Sequence, residues 1–384
     1  MARLETRLEP LARSLADHRA QKGLCLSLFL DLDAKTVPTA KDLTSHVHSL
    51  LDRARREVSR LADELGHDEV AAAREDLDAA ETYFEDDFDR SGAAGFALYV
   101  AALDGVRHEV RLSGPVGDAA QVGRAFALVP LLPSLERERE LVLAAVGRER
   151  GTIWRSRGGS TELVEDRTEE IRGQHDQGGW SQARFQRSID KDALDHLREV
   201  ADALADTIHA GDDALLVVAC LEEQRATFDD LLAPHLREAL IGWATMEAHA
   251  DEHALKDDAA QMLEGRLRSE REALLERWRI ARAHGEPVAA TWDEALEAAA
   301  AGTVEAALLD GRTVDAWLCP ACGRGSLSAG QCALDATELV EEPGGALELV
   351  VRGTLANGGE ARVVDALPEN EGVAALLRFP VAPA

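Results

Sequence analysis

"CLSLFLDLDAKTVPTAKDLTSHVHSL", residues 25–50, decides the fold class. Its first nine residues are apolar at most positions, the pattern of a strand covered on both faces. Thr39 and Asp42 stand three apart, which predicts a reciprocal cap at a helix start. Behind them Leu43, Val47, Leu50, Leu51, Ala54, Val58 and Leu61 recur at threes and fours and so share one helix face. A strand followed by an amphipathic helix is an α/β opening. A second helical region then leads to GFALYVAAL (95–103), read as a strand, and HEVRLSG adds another.

The alternation continues along the chain. LVLAAVGRERGTIWRSRGGS (141–160) reads as a hairpin that turns between Gly147 and Gly151, and TELVEDRTEEIRGQHDQGG reads as an exposed excursion. From Ser181 onward Phe185, Ile189, Ala193, Leu197, Val200, Leu204 and Ile208 mark one long helix closed by Gly211. DALLVVACL supplies a buried strand and EEQRATFDDLLAPHL a helix. Residues 247–283 are helical and heavily charged, with Leu263, Leu267, Leu274, Leu275 and Trp278 as the apolar positions. Thr291 and Glu294 predict a second capped helix running to about Ala301, followed by the strand VEAALLD. Short strands ELVVRG and ARVVDAL and a closing VAALLRF complete the reading. The expected division is an amino-terminal α/β domain (1–138), a central domain (139–250), a charged connecting helix (251–283) and a carboxyl-terminal α/β domain (284–384).

Charge narrows the function classes. With 71 acidic against 42 basic residues the formal charge is −29, so the average surface repels nucleic acid and no DNA partner is expected. Any RNA contact needs a local basic face. The longest apolar runs, LLVVACL (215–221) and ALVPLLP (127–133), are far short of a membrane span, so the expectation is a cytoplasmic protein without membrane contact. Cys25 and Cys220 lie in apolar strand-like runs and read as buried thiols, not as members of a disulfide framework. There is no GxSxG, P-loop or GxGxxG, so neither serine hydrolysis nor nucleotide hydrolysis is indicated.

Two stretches carry chemistry. In QHDQGGWSQARFQR (174–187), Gly178 and Gly179 let the backbone approach a partner closely, and Ser181 is placed to cap the helix that follows. Arg184 and Arg187 one turn in, with the unpaired amides of the helix start, suit a phosphate, and Trp180 suits stacking on a base. A plain glycine turn with arginines in surface ion pairs fits the same residues. In DAWLCPACGRGSLSAGQCALD (315–335), Cys319 and Cys322 form a CxxC knuckle, and Cys332 begins a CxxD that ends at Asp335. Together they could hold zinc, or form a reduced loop that holds no metal.

GGWSQARF (178–185) resembles the GGQSxxRF segment in the central domain of archaeal and eukaryotic class-one peptide chain release factors, and Gln186 and Arg187 fit the same helix. GGEARVVDALPENEGVAALLRFP (358–380) is similar to the close of the third domain of those factors and of Pelota, where a cysteine-bearing insertion resembling 319–335 is common. LSLFLDLD followed by PTAKD looks like the bacterial and archaeal release-factor-like branch, which includes Balon. The resemblance implies three α/β domains in the release-factor and Pelota arrangement, the last like the kink-turn-binding ribosomal proteins. It implies tRNA mimicry in the ribosomal A site, with the central loop near the peptidyl-transferase centre and its ribosomal RNA. Transfer RNA and an elongation-factor-like GTPase are the further partners it implies.

The chain departs from that family at one position. The glutamine that release factors use to organise water is replaced by Trp180, which cannot present an amide, and no NIKS-like stop-codon motif is found. The resulting expectation is an A-site occupant, of the hibernation or rescue kind, with no catalytic residue. The alternative is peptidyl-tRNA ester hydrolysis with Gln182 as the substitute. The expected RNA-contacting residues are Gly178, Gly179, Trp180, Ser181, Gln182, Arg184, Arg187 and Arg172. Arg148, Arg150, Arg155, Arg157, Arg167 and Lys191 complete a nearly charge-balanced stretch in an acidic chain.

Overall fold

The computed structural model describes residues 7–20, 23–33, 35–62, 65–167, 182–245, 252–367 and 372–381. The chain forms two compact units, one of residues 1–137 with 270–384 and one of 138–269. Among the described residues no helix is long and apolar enough to cross a membrane.

The first unit begins with α1 (Leu8–Asp17), β1 (Cys25–Asp31), α2 (Ala40–Leu61), α3 (His67–Asp86), β2 (Gly95–Ala101), β3 (Val106–Leu112), β4 (Ala119–Gly123) and α4 (Leu132–Arg137). Thr39 and Asp42 make the reciprocal cap of α2 that their spacing predicts. The strands pair antiparallel in the order β3-β2-β1-β4. Because side chains alternate along a strand, β1 sends Leu26, Leu28 and Leu30 to one face and Cys25 and Phe29 to the other. The first face is covered by Leu43, Val47, Leu50 and Leu51 of α2 and by Leu77 and Phe84 of α3.

The second unit contains β5 (Leu141–Val146), β6 (Gly151–Arg157), β7 (Ser160–Asp166), α5 (Gln182–Thr207), β8 (Leu215–Cys220), α6 (Glu222–Leu231), α7 (Pro234–Ala239), β9 (Leu240–Thr245) and the first part of α8 (Glu252–His284). Its sheet runs β7-β6-β5-β8-β9, with β5, β8 and β9 parallel and the β5–β6–β7 hairpins antiparallel. Leu255, Ala259, Leu263 and Leu267 of α8 are buried in this unit, while Trp278 and Ala281 of the same helix are buried in the first.

The chain closes with β10 (Val288–Ala289), α9 (Trp292–Ala300), β11 (Val304–Leu309), β12 (Trp317–Leu318), β13 (Gly325–Ser326), β14 (Val340–Glu341), α10 (Gly345–Ala356), β15 (Glu360–Val363) and β16 (Val373–Leu377). One sheet has the order β10-β16-β11-β15, and the three two-residue strands form a small sheet β13-β12-β14. Thr291 and Glu294 cap α9 reciprocally, as their spacing predicts.

Three sequence readings change. Where the sequence draws separate domains over 1–138 and 284–384, the structure joins these segments in one unit. A single apolar cluster takes Phe29 and Tyr99 from the first sheet, Leu11 and Leu15 from α1, and Leu347, Val350 and Val351 from α10. ELVVRG (348–353) is not a strand but the middle of α10, which is buried on nearly every side. An all-round apolar helix loses the period that would distinguish it from a covered strand. Of the exposed excursion, TELVED is part of a strand, β7, which pairs with β6 across the Gly158–Gly159 turn and keeps most of its positions exposed, and residues 168–179 lie outside the described residues.

Glu348 on α10 lies in the shared cluster with 2% of its surface exposed and accepts hydrogen bonds from the backbone N–H groups of Leu128 and Val129, all at 2.8–3.0 Å. Arg352, one turn further on, pairs with buried Glu342. Burial pushes the Glu348 carboxyl up from 4.5 to about 7, and the two N–H groups and Arg352 pull the other way without cancelling it. The folded-state value lies above the unfolded one. The group therefore supports the fold fully below pH 4.5, and that support is lost as pH rises through about 7. A shift of this size corresponds to roughly 3 kcal/mol. Thermal melts between pH 5 and 8 should show stability falling with pH, and Glu348→Gln should flatten the profile. A wild-type profile that is level across this window contradicts the account.

Candidate functional site

The long helix of the second unit is seated on the sheet. Its Leu197, Val200, Ala201, Ala203 and Leu204 are buried in one cluster with residues of β5, β6 and β8. Two contacts fix its direction. Arg155 of β6 donates to the Thr207 carbonyl at 3.1 Å, and Gly151, at the start of β6, lies under Val200 and His196. The helix therefore runs along the sheet away from its Gly151 end, and it starts at Gln182, fourteen residues before His196. At about 1.5 Å per residue, that start lies roughly 20 Å along the helix axis from His196.

That end of the sheet is also where the parallel strands β5 and β8 finish, at Val146 and Cys220. Loops at the carboxyl ends of parallel strands are the usual place for a binding site in such sheets. Gln182, Arg184 and Arg187 are on the first turns of α5. Gly178, Gly179, Trp180, Ser181 and Arg172 lie outside the described residues.

The basic stretch divides into two groups. Arg155 and Arg157 reach Glu140 at 3.0 and 4.0 Å, and Arg167 pairs with Glu165 at 2.6 Å and approaches Glu199 at 3.8 Å. These three hold the sheet and helix together and are not a free RNA-facing set. Arg148 and Arg150, in the β5–β6 turn, and Lys191, on α5, have no ion pair among the described residues. They lie toward the same end as the start of α5.

The sequence reading missed two residues that seat the helix. A side chain at Gly151 would run into Val200, so only glycine lets α5 lie this close to β6. His196 is 5% exposed, and both its ring nitrogens lack a hydrogen-bond partner. The glycine that opens GTIWRSR was read as a turn marker, and nothing in the sequence distinguishes it from one. Gly151→Val should lower the stability of this unit by roughly 2 kcal/mol or more through overpacking. Denaturant unfolding of the purified variant measures this, and unchanged stability would mean the helix is not seated there.

The second stretch gathers as its spacing suggests. Cys319, Cys322, Cys332 and Asp335 each offer a ligand atom, and all four atoms lie within 4.8 Å of one another. The Cys319 thiol is 3.5 and 3.6 Å from the Asp335 oxygens, and the Cys322 and Cys332 sulfurs are 3.6 Å apart. The Cys322 backbone N–H donates to the Cys319 sulfur at 3.4 Å. Hydrogen bonds from Thr337 hold the Asp335 carboxyl down at about 2. Burial raises the Cys319 thiol, but donation from Cys322 and its neighbours leaves it below its ordinary value.

Residues 127–264, which span most of the second unit, match the family model described as bacterial archaeo-eukaryotic release factor family 10, in agreement with the resemblance carried by residues 178–185. Among solved structures the chain is similar to an archaeal translation termination factor, aRF1, at 16% identity and a TM-score of 0.27, covering 97% of each chain. Pelota from Archaeoglobus fulgidus is similar at 15% identity and a TM-score of 0.37, covering 75% of this chain and 81% of that one. Dom34 from S. cerevisiae, a translation termination-like factor, is similar at 9% identity and a TM-score of 0.38, with the same coverage. No curated protein matches the chain.

Proposed function

We propose that the protein is a cytoplasmic, ribosome-associated translation factor that occupies the A site of idle or stalled ribosomes and presents the start of α5 to ribosomal RNA near the peptidyl-transferase centre. The observation that carries this reading is the start of α5. Gln182, Arg184 and Arg187 stand on the first turns of that helix, directly after GGWS in sequence, and give a basic helix start to a chain whose average surface repels RNA. The family match over 127–264 supports a role in translation.

Within this reading Gly178 and Gly179 allow close backbone approach. Arg184 and Arg187 meet phosphates, with Arg172 nearby in sequence, and Trp180 stacks on a base. Trp180 also removes the amide that would organise a hydrolytic water, so the protein occupies the site without releasing peptide. Transfer RNA in the neighbouring site and an elongation-factor-like GTPase are the companions this role calls for.

Cosedimentation with 70S ribosomes from starved cells at low salt is the direct test. The wild-type chain should travel with the ribosomes. Arg184→Glu with Arg187→Glu should weaken binding by roughly tenfold or more and flatten its salt dependence. Absence of the wild-type chain from the ribosomal fraction would sink the proposal. Peptide release from charged transfer RNA that is lost in Gln182→Ala would replace it with a hydrolase.

A further inference from the structure

We propose that Cys319, Cys322, Cys332 and Asp335 bind one zinc-class divalent cation, and that Arg19, from the amino-terminal segment, is the positioning residue of that centre. A tetrahedral zinc ion with sulfur ligands at about 2.3 Å sets its sulfurs about 3.8 Å apart and brings an oxygen ligand slightly closer. The separations of 3.5–3.6 Å between Cys319 and Asp335 and between Cys322 and Cys332 already fit such a shell. The Cys322 N–H on the Cys319 sulfur is the kind of contact that stabilises a thiolate ligand.

Two further observations point to a built site. Ala336, next to Asp335, is the one non-glycine residue with positive φ among the described residues, at 60°. Backbone strain of this sort is held where surrounding structure requires a particular side-chain placement. The insertion between β11 and α10 also has little core of its own. Its strands β12, β13 and β14 are two residues long, and Ala316, Leu318, Cys319 and Cys332 are its buried apolar residues. A segment of that size needs a staple, and a metal is one kind.

Arg19 supplies the counter-charge. Three thiolates and a carboxylate outweigh a divalent cation, so the filled centre is anionic. The Arg19 guanidinium lies flat against Gly323, the residue after Cys322, where any side chain would displace it. Gly323 has φ +75° and donates its N–H to the Cys319 carbonyl at 2.8 Å. Arg19 itself makes an isolated antiparallel bridge with Ala125, two residues past the end of β4. The metal would thus join the insertion to the amino-terminal part of the same unit.

The test uses the full-length chain purified under reducing conditions. Elemental analysis should find about one zinc per chain, and cobalt substitution should give the thiolate charge-transfer and tetrahedral ligand-field bands of a mainly sulfur site. Competition with a chromophoric chelator should show roughly tenfold weaker zinc binding for Arg19→Gln, with Arg19→Lys recovering much of the loss. Asp335→Ala should weaken binding further and alter the cobalt spectrum. A wild-type chain without zinc that gives no tetrahedral cobalt bands overturns the site, and so does a Cys322–Cys332 disulfide found by mass spectrometry. Unchanged affinity in Asp335→Ala or Arg19→Gln overturns the role given to that residue. Since the wild-type chain alone decides whether metal binds, a variant that fails to fold does not blur the answer, and none of the measurements involves the ribosome.

Discussion

The first unit turns on a buried carboxylate. Glu348 projects from α10 into the cluster where the amino-terminal and carboxyl-terminal segments meet, and its oxygens receive the N–H groups of Leu128 and Val129. Those donors have no other way to be satisfied in an apolar interior, and leaving them unpaired would cost 1–3 kcal/mol each by ordinary magnitudes, to about that order. The contact joins positions 220 residues apart in sequence. It makes one body of what would otherwise be two half-cores. The Glu136 carboxylate has a related role at the end of α4, where Arg271 and the Val363 N–H both reach it.

The sequence shows its local rules clearly and its long-range pairings poorly. Both reciprocal helix caps, at Thr39 and Thr291, are legible because they depend on residues three apart. The alternation in CLSLFLD is equally legible, since a strand covered on both faces leaves an almost continuous apolar run. By contrast, Glu348 is only the first residue of ELVVRG, a segment that reads as a short strand. Nothing near it in sequence announces that its partner is at Leu128. The same segment shows why α10 reads as a strand: a fully enclosed helix has no polar face to mark its period.

The candidate sites divide along the same line. The cysteine knuckle is visible because metal ligands come at fixed short spacings, and the fold brings all four residues together. Arg19 is invisible because its link to Gly323 is a matter of tertiary placement. The basic residues of 148–191 were countable in sequence, but only the structure separates those committed to Glu140, Glu165 and Glu199 from those that are not. Composition records charge, and only geometry shows whether it has been used.

The seat of α5 has a mechanical consequence. Gly151 has no side chain, so Val200 rests directly on the start of β6, and Arg155 holds the Thr207 carbonyl further along the same strand. The two points are seven residues apart on the helix, about 10 Å along its axis. A rod pinned twice over that length cannot tilt without giving up one of the two contacts. The bare glycine therefore sets the angle of α5 as well as its distance from the sheet.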